Sequence, residues 1–157
     1  MPHLDAAYNL ARWLAGNEHD AADIVQESCM RAFRFAGGVR GGNDRAWLLA
    51  IVRNTACTWL KKNRPRAMVP IDDDELAGIE DQSIAVNPFQ GADKDALRAA
   101  VEMLPLEFRE ALVLRELEGL SYKEIAEVAE VPVGTVMSRL ARARRQLQDY
   151  FAQKGYL

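Results

Sequence analysis

The residue types best suited to bind phosphate or a base edge are concentrated near the C-terminus. Residues 135–148 contain no acidic residue, and their basic residues are Arg139, Arg142, Arg144 and Arg145. An arginine guanidinium forms paired hydrogen bonds with a phosphate or with the edge of a guanine. Ser138, Arg142 and Arg145 recur at helical spacing and share one face of a predicted helix. This stretch therefore predicts contact with nucleic acid, although a basic face also arises simply to complement a helix dipole.

Other reactive residue types give no catalytic pattern. The two histidines, His3 and His19, and the two cysteines, Cys29 and Cys57, have neither the spacing of metal ligands nor that of a catalytic triad. We therefore expect no enzyme activity, no metal and no cofactor. A different surface is predicted at residues 20–27, D-A-A-D-I-V-Q-E, where carboxylates and an amide lie on the outer face of a helix.

Composition indicates a globular protein of one ordinary domain or two small ones. Of its 157 residues, 49% are hydrophobic and 27% are charged. The longest apolar run, residues 46–52, is far shorter than the roughly 20 residues of a membrane helix. No basic stretch precedes an apolar block as in a secretory signal. We expect a soluble, reduced, cytoplasmic protein without membrane insertion.

The charge distribution divides the chain into three parts. Residues 1–66 carry ten Lys or Arg against six Asp or Glu, residues 67–95 carry one against eight, and residues 96–157 carry nine against nine. Pro, Gly and acidic residues interrupt the helical pattern in the middle part. This predicts two small domains joined by an acidic linker. A net charge of -3 does not exclude DNA binding, because DNA responds to the local potential.

Helical periodicity predicts an all-α fold with three helices in the N-terminal domain. The first spans residues 4–14 and stops at Gly16. The second begins with Asp20 as its N-cap and ends near residue 36, and its buried stripe is predicted to be Val25, Cys29 and Phe33. The third is capped by Asn43 or Asp44 and ends near residue 63. Its predicted buried residues are Leu48, Ile51, Val52, Thr55 and Trp59.

The C-terminal domain contains the sequence pattern of a helix-turn-helix. Helices over residues 95–103 and 105–118 lead to a capping box formed by Ser121 and Glu124. A short helix to about residue 129, a turn containing Pro132 and Gly134, and a second helix capped by Thr135 follow. The predicted inner face of the second helix consists of Val136, Leu140, Ala143 and Leu147. Such a helix enters the major groove of DNA.

Four segments in this order resemble bacterial sigma factors of the extracytoplasmic-function (ECF) type. They are D-A-A-D-I-V-Q-E, A-W-L-L-A-I-V-R-N-T-A, L-P-L-E-F-R-E-A-L-V-L-R-E-L-E-G-L-S-Y-K-E-I-A and V-P-V-G-T-V-M-S-R-L-A-R-A-R. The resemblance implies a subunit that binds core RNA polymerase, recognises the -35 and -10 promoter elements and opens the DNA. It also implies an anti-sigma factor that masks the DNA-binding faces.

The resemblance assigns roles to matching positions. Those that would contact the polymerase clamp are Asp23, Gln26 and Glu27. The loop of residues 39–44 and Asn54 would hold a flipped-out base of the -10 element. The residues that would bind this element are Arg40, Gly41, Asn43, Arg53, Asn54, Lys61 and Lys62. Those that would bind the -35 element are Arg115, Thr135, Ser138, Arg139, Arg142 and Arg145. The alternative is a stand-alone helix-turn-helix regulator, which binds duplex DNA without polymerase.

Overall fold

The computed structural model describes residues 3–35, 43–65 and 94–155, and within these ranges the regular structure is helical. The N-terminal domain consists of three helices, which are α1 (Leu4–Ala15), α2 (Glu18–Phe35) and α3 (Asp44–Asn63). The C-terminal domain consists of α4 (Lys94–Glu102), α5 (Leu106–Leu112) with a π-helical continuation (Val113–Leu117), α6 (Tyr122–Ala129) and α7 (Val133–Gln153). The all-α fold class is confirmed. Of the predicted linker, residues 67–93 lie outside the described ranges.

The junction between α1 and α2 depends on a glycine and an asparagine. Gly16 adopts the left-handed conformation, with φ of 87°, and ends α1 as predicted. The predicted N-cap of α2 was wrong, because the helix begins at Glu18 and Asp20 lies in its first turn. Asn17 instead accepts a hydrogen bond from the backbone N–H of Asp20 at 2.8 Å. The Asp20 carboxylate therefore does not cap α2, and it binds the guanidinium of Arg64 at the end of α3.

The predicted buried stripe of α2 was also wrong. Val25 and Cys29 are only half-buried, and Phe33 is 73% exposed. The residues that face the core are Ala21, Ile24, Ser28 and Ala32. They lie one position earlier along the helix than the predicted residues. Because three of them are small, this face of α2 is able to approach α1 and α3 closely and pack tightly against them. Ser28 satisfies its hydroxyl within the helix, donating to the Ile24 carbonyl at 2.6 Å.

The third helix follows the sequence prediction closely. The Asn43 side chain caps α3 by accepting from the N–H of Ala46 at 3.1 Å. Leu48, Val52 and Thr55 are buried. The larger side chains Ile51 and Trp59 are half-buried and pack against the same core.

The helix-turn-helix is present, with one difference at its second helix. Ser121 and Glu124 form both hydrogen bonds of the capping box, at 3.0 and 3.1 Å. The N-cap of α7 is Pro132 rather than the predicted Thr135, which lies in the first turn and donates its N–H to the Pro132 carbonyl at 3.0 Å. Proline starts the helix earlier because its fixed φ already suits a helix entry. The predicted inner face of Val136, Leu140, Ala143 and Leu147 is fully buried.

The two domains share one apolar core in this structure. A single cluster of buried residues joins Leu10 and Leu49 of the N-terminal domain to Leu114, Ile125 and Leu140 of the C-terminal domain. Helix α3 packs against α6, and α1 packs against α5. The sequence predicts two bodies on a tether, and the structure shows these two bodies closed onto each other.

The turn of the helix-turn-helix contains a strained residue and generates a prediction. Glu130 ends α6 in the left-handed conformation, with φ of 58° and ψ of 46°. This conformation costs a residue other than glycine about 1–2 kcal/mol. Glycine removes this cost, but its greater freedom in the unfolded chain cancels part of the gain in stability. We expect Glu130→Gly to raise the free energy of unfolding by about 0.5–1 kcal/mol, measured by urea denaturation.

The matched control for this substitution is Glu127→Gly, at an exposed position inside α6. There glycine removes no strain, so we expect a loss of about 1 kcal/mol. Equal effects of the two substitutions would contradict the account of the turn.

Candidate nucleic-acid and protein interface

The outer face of α7 is accessible over only part of the predicted set. Arg145 is exposed, and Thr135 and Arg142 are half-buried. Ser138 is buried and donates to the Gly134 carbonyl at 3.0 Å, so its hydroxyl is used within the helix. Arg139 is only 6% exposed, which differs from the expectation that it stands on a free basic face. The C-terminal domain therefore presents Arg142 and Arg145 outward and holds Arg139 against the protein.

Arg115 supports the helix-turn-helix from the preceding segment. Its guanidinium donates to the Leu120 carbonyl at 2.9 Å and lies 4.7 Å from the centre of the Tyr122 ring. These contacts fix the arginine beside the N-terminus of α6. A guanidinium held in one orientation loses less entropy on binding a phosphate than a mobile one does.

The acidic face of α2 is accessible over its whole predicted length. Asp23, Gln26 and Glu27 are all exposed. Glu27 pairs with Arg31 one turn later, at 3.3 Å, and Asp23 lies 3.8 Å from the imidazole of His19. Exposed pairs of this kind contribute little to stability and separate readily, so both carboxylates are available to a basic partner.

Helix α3 brings the predicted -10 residues to two different places. Lys61 and Lys62 are exposed in its last turn. Asn54 is half-buried and accepts a hydrogen bond from Arg53 at 3.2 Å. Asn43 is exposed at the start of α3 and donates to Glu124 of the C-terminal domain at 2.7 Å. Arg40 and Gly41 lie outside the described residues.

Sequence reasoning missed Glu110, the most buried charged group among the described residues. It lies in α5 with only 1% of its surface exposed, and its carboxylate oxygen is 2.9 Å from Nε of Arg53 in the other domain. The signal was present in the sequence, because Leu106, Glu110 and Leu114 follow helical spacing and place a carboxylate on the apolar face of α5.

Burial and charge act on Glu110 in opposite directions. Burial raises the pKa of its carboxyl group, while the positive charges of Arg53 and Arg139 lower it, and burial is the larger effect. For Arg53, burial lowers the pKa of the guanidinium, but the negative charge of Glu110 and other groups outweighs it and the pKa is raised. The carboxylate thus contacts one arginine of the predicted -10 set, Arg53, and is influenced by the charge of one arginine of the predicted -35 set, Arg139.

One group of side chains has the composition of a metal site. Among the residues that the structure describes, the ligand atoms of His19, Asp20 and Asp23 lie within 4.8 Å of one another. Asp20 is engaged by Arg64, and His19 and Asp23 are exposed on one helical turn. Such a group arises from helical spacing alone and does not form an enclosed coordination shell. In the same ranges, no helix has the length and apolarity needed to cross a membrane.

Comparison with known proteins identifies the family. Residues 1–66 match sigma-70 region 2, and residues 94–147 match sigma-70 region 4. The chain is 34% identical to an ECF RNA polymerase sigma-E factor of Haemophilus influenzae over 89% of this chain and 78% of that protein. The chain belongs to the ECF RNA polymerase sigma factors. This family consists of transcription initiation factors that are not enzymes.

Two further relatives extend the comparison. The sigma factor SigE of Mycolicibacterium smegmatis is 39% identical over 96% of this chain, which spans 59% of that protein. The sigma factor RpoE of Bartonella quintana, solved in complex with the anti-sigma factor NepR, is 31% identical, and its structure aligns with a TM-score of 0.73. That alignment covers 96% of this sigma factor and 92% of the solved chain, so it includes both domains.

Proposed function

We propose that this sigma factor directs core RNA polymerase to promoters, recognises their -35 and -10 elements and promotes DNA opening, without catalysing a reaction itself. The observation that carries the proposal is an exposed acidic helix face and a helix-turn-helix with outward arginines in a single chain. A subunit with both features is able to hold a protein partner and DNA at once.

Polymerase binding is assigned to the acidic face of α2. Asp23, Gln26 and Glu27 are exposed and lie on consecutive turns. Their negative charge suits a basic surface of the polymerase clamp and accelerates association through long-range attraction. Because the polymerase acts in the cytoplasm, the proposal places the sigma factor there as well.

Recognition of the -35 element is assigned to the C-terminal domain. Helix α7 enters the major groove, where Arg142 and Arg145 reach base edges or phosphates. Thr135 lies in the first turn of α7, whose unpaired backbone N–H groups attract phosphate. Arg115 adds a phosphate contact. Ser138 and Arg139 complete the predicted set.

Recognition of the -10 element is assigned to α3 and the loop before it. Asn54 offers both a donor and an acceptor for the edge of an extruded base. Asn43, Arg40 and Gly41 belong to the loop that surrounds this base. Arg53, Lys61 and Lys62 neutralise phosphates at the edge of the open region.

Regulation by an anti-sigma factor is a further part of the proposal. The aligned solved structure is a sigma factor in complex with NepR, and the alignment extends over nearly the whole of this chain. A protein that covers both the acidic face of α2 and the outward face of α7 would block polymerase and DNA together.

The test of the proposed function is run-off transcription with purified core polymerase. We expect the sigma factor to co-elute with core polymerase and to produce transcripts from defined promoters. No co-elution and no promoter-specific transcript would overturn the proposal. Tight binding to a palindromic duplex without polymerase would favour the stand-alone regulator.

The assignment of Arg142 predicts a loss of -35 recognition. We expect Arg142→Ala to weaken transcription that depends on the -35 element and to reduce discrimination at the contacted base by about 1–3 kcal/mol. The measurement is transcription from a set of single-base promoter variants. Arg98→Ala, on the exposed side of α4, serves as the control and should leave promoter preference unchanged.

The assignment of Asn54 predicts a defect in opening rather than in polymerase binding. We expect Asn54→Ala to co-elute normally with core polymerase but to reduce permanganate reactivity of unpaired thymines in the -10 region. Asn63→Ala, at the exposed end of the same helix, is the matched control. A normal permanganate pattern for Asn54→Ala would remove Asn54 from the predicted pocket.

A further inference from the structure

A cavity of about 200 Å³ lies between the two domains, where the ends of α1, α3 and α4 meet the first turns of α5. Its apolar wall consists of Leu14, Leu60 and Leu106, which are buried. A cavity of about 150 Å³ lined by apolar side chains binds a molecule of benzene. This cavity therefore has room for a single ring, or an aliphatic chain of similar size, together with a small polar group.

Arg109 of α5 places a positive charge beside this cavity. Its two terminal nitrogens donate to four backbone carbonyls at 2.9 to 3.4 Å, and these belong to Trp13, Leu14, Glu102 and Leu104. Among the described residues no carboxylate is hydrogen-bonded to the guanidinium, and its buried Nε has no partner. Carbonyl oxygens accept the N–H groups of Arg109 but do not neutralise its charge.

The surroundings compensate the charge of Arg109 only in part. Burial lowers the pKa of its guanidinium, and the negative charge of Glu102, which acts in the opposite direction, does not outweigh burial. Glu102 is itself exposed at the edge of the cavity, where its carboxylate is able to turn into solvent. An anion inside the cavity would supply counter-charge to Arg109 in surroundings where charges interact more strongly than in water.

Arg64, at the end of α3, provides donors that a ligand is able to reach. Its half-buried guanidinium donates to the Ala15 carbonyl at 2.6 Å and binds the Asp20 carboxylate. These contacts use two of its five N–H groups, and the others have no hydrogen-bond partner among the described residues. Gly16 also lines the cavity, and a Cβ at this position would lie 3.9 Å from Nη1 of Arg64. The glycine thus leaves the space beside Nη1 open.

We propose that this cavity is a binding site for a small organic monocarboxylate, whose carboxylate group binds Arg64 near the charge of Arg109 and whose apolar body packs against the three leucines. An inorganic anion would leave the apolar wall uncovered, and a neutral molecule would leave the charge of Arg109 uncompensated. Each domain contributes one arginine and part of the wall. The inference goes beyond the proposed function and does not depend on it, because the site is formed without polymerase or DNA.

Two substitutions remove different parts of the site. Arg64→Gln removes the accessible cation and leaves the apolar wall intact. Leu106→Phe keeps both arginines and places a larger side chain in the wall, where it reduces the space for a ligand. The matched controls are Arg98→Gln and Leu4→Phe, which make the same kinds of change at exposed positions outside the cavity.

The experiment titrates sodium benzoate and sodium hexanoate into the full chain at constant ionic strength and follows the backbone amides by NMR. We expect at least one of the two to cause saturable shifts at Gly16 and Leu106, with a Kd of about 0.1–1 mM, as suits a ligand of fewer than about ten non-hydrogen atoms. Benzamide has the ring of benzoate without its charge, and acetate has the charge without the ring. Each should bind at least about tenfold more weakly than benzoate.

The variants locate the two halves of the ligand. Arg64→Gln should weaken the binding of the carboxylate probes by at least about tenfold, because it removes a charge-assisted hydrogen bond. Leu106→Phe should weaken the binding of the same probes although both arginines remain. Arg98→Gln and Leu4→Phe should bind them with the affinity of the wild type.

Several results would overturn the proposal. They are the absence of saturation by either probe below about 10 mM, equal affinity for benzoate and benzamide, and shifts centred on residues remote from the cavity. Unchanged affinity in both Arg64→Gln and Leu106→Phe would place the ligand elsewhere on the surface. If circular dichroism shows that Leu106→Phe loses helix content, Arg64→Gln and the positions of the shifted amides in the wild type decide in its place.

Discussion

The burial of one carboxylate governs the arrangement of this sigma factor. Transfer of Glu110 from water into the core is costly, and the structure offsets this cost with Arg53 from the other domain and with the charge of Arg139. Neither partner is supplied by α5 itself. Arg139 belongs to the same domain as Glu110, whereas Arg53 belongs to the other, so part of the compensation depends on the contact between the two domains.

This constraint divides the candidate binding residues into two groups. Those of the first group are accessible in the closed state, and they are Asp23, Gln26, Glu27, Lys61, Lys62, Arg142 and Arg145. Those of the second group are Asn43 and Arg53, which contact the C-terminal domain, and Arg139, which is buried within that domain. The side chains of the first group are exposed or half-buried, whereas those of Asn43 and Arg53 already contact polar groups of the C-terminal domain.

The helix-turn-helix was predictable because its signals are local. The capping box of Ser121 and Glu124 involves residues three apart, and the inner face of α7 follows from helical spacing alone. Errors arose where several local solutions compete. Asp20 and Asn17 are both residue types that cap helices well. Asn17 accepts the capping hydrogen bond, while the Asp20 side chain binds Arg64, which lies 44 residues later in the chain. The stripe of α2 shifted by one residue because close approach to α1 and α3 favours Ala and Ser over Val, Cys and Phe.

The sequence by itself determined the all-α fold, the helix-turn-helix and the residue types able to contact polymerase and DNA, because caps, glycines and periodicity act over one or two turns. Only the tertiary structure decided which of those residues are accessible. The contact of Glu110 with Arg53 joins positions 57 residues apart, across a linker that carries no local signal for it. Its stability depends on desolvation by both domains at once, a quantity that no single helix contains.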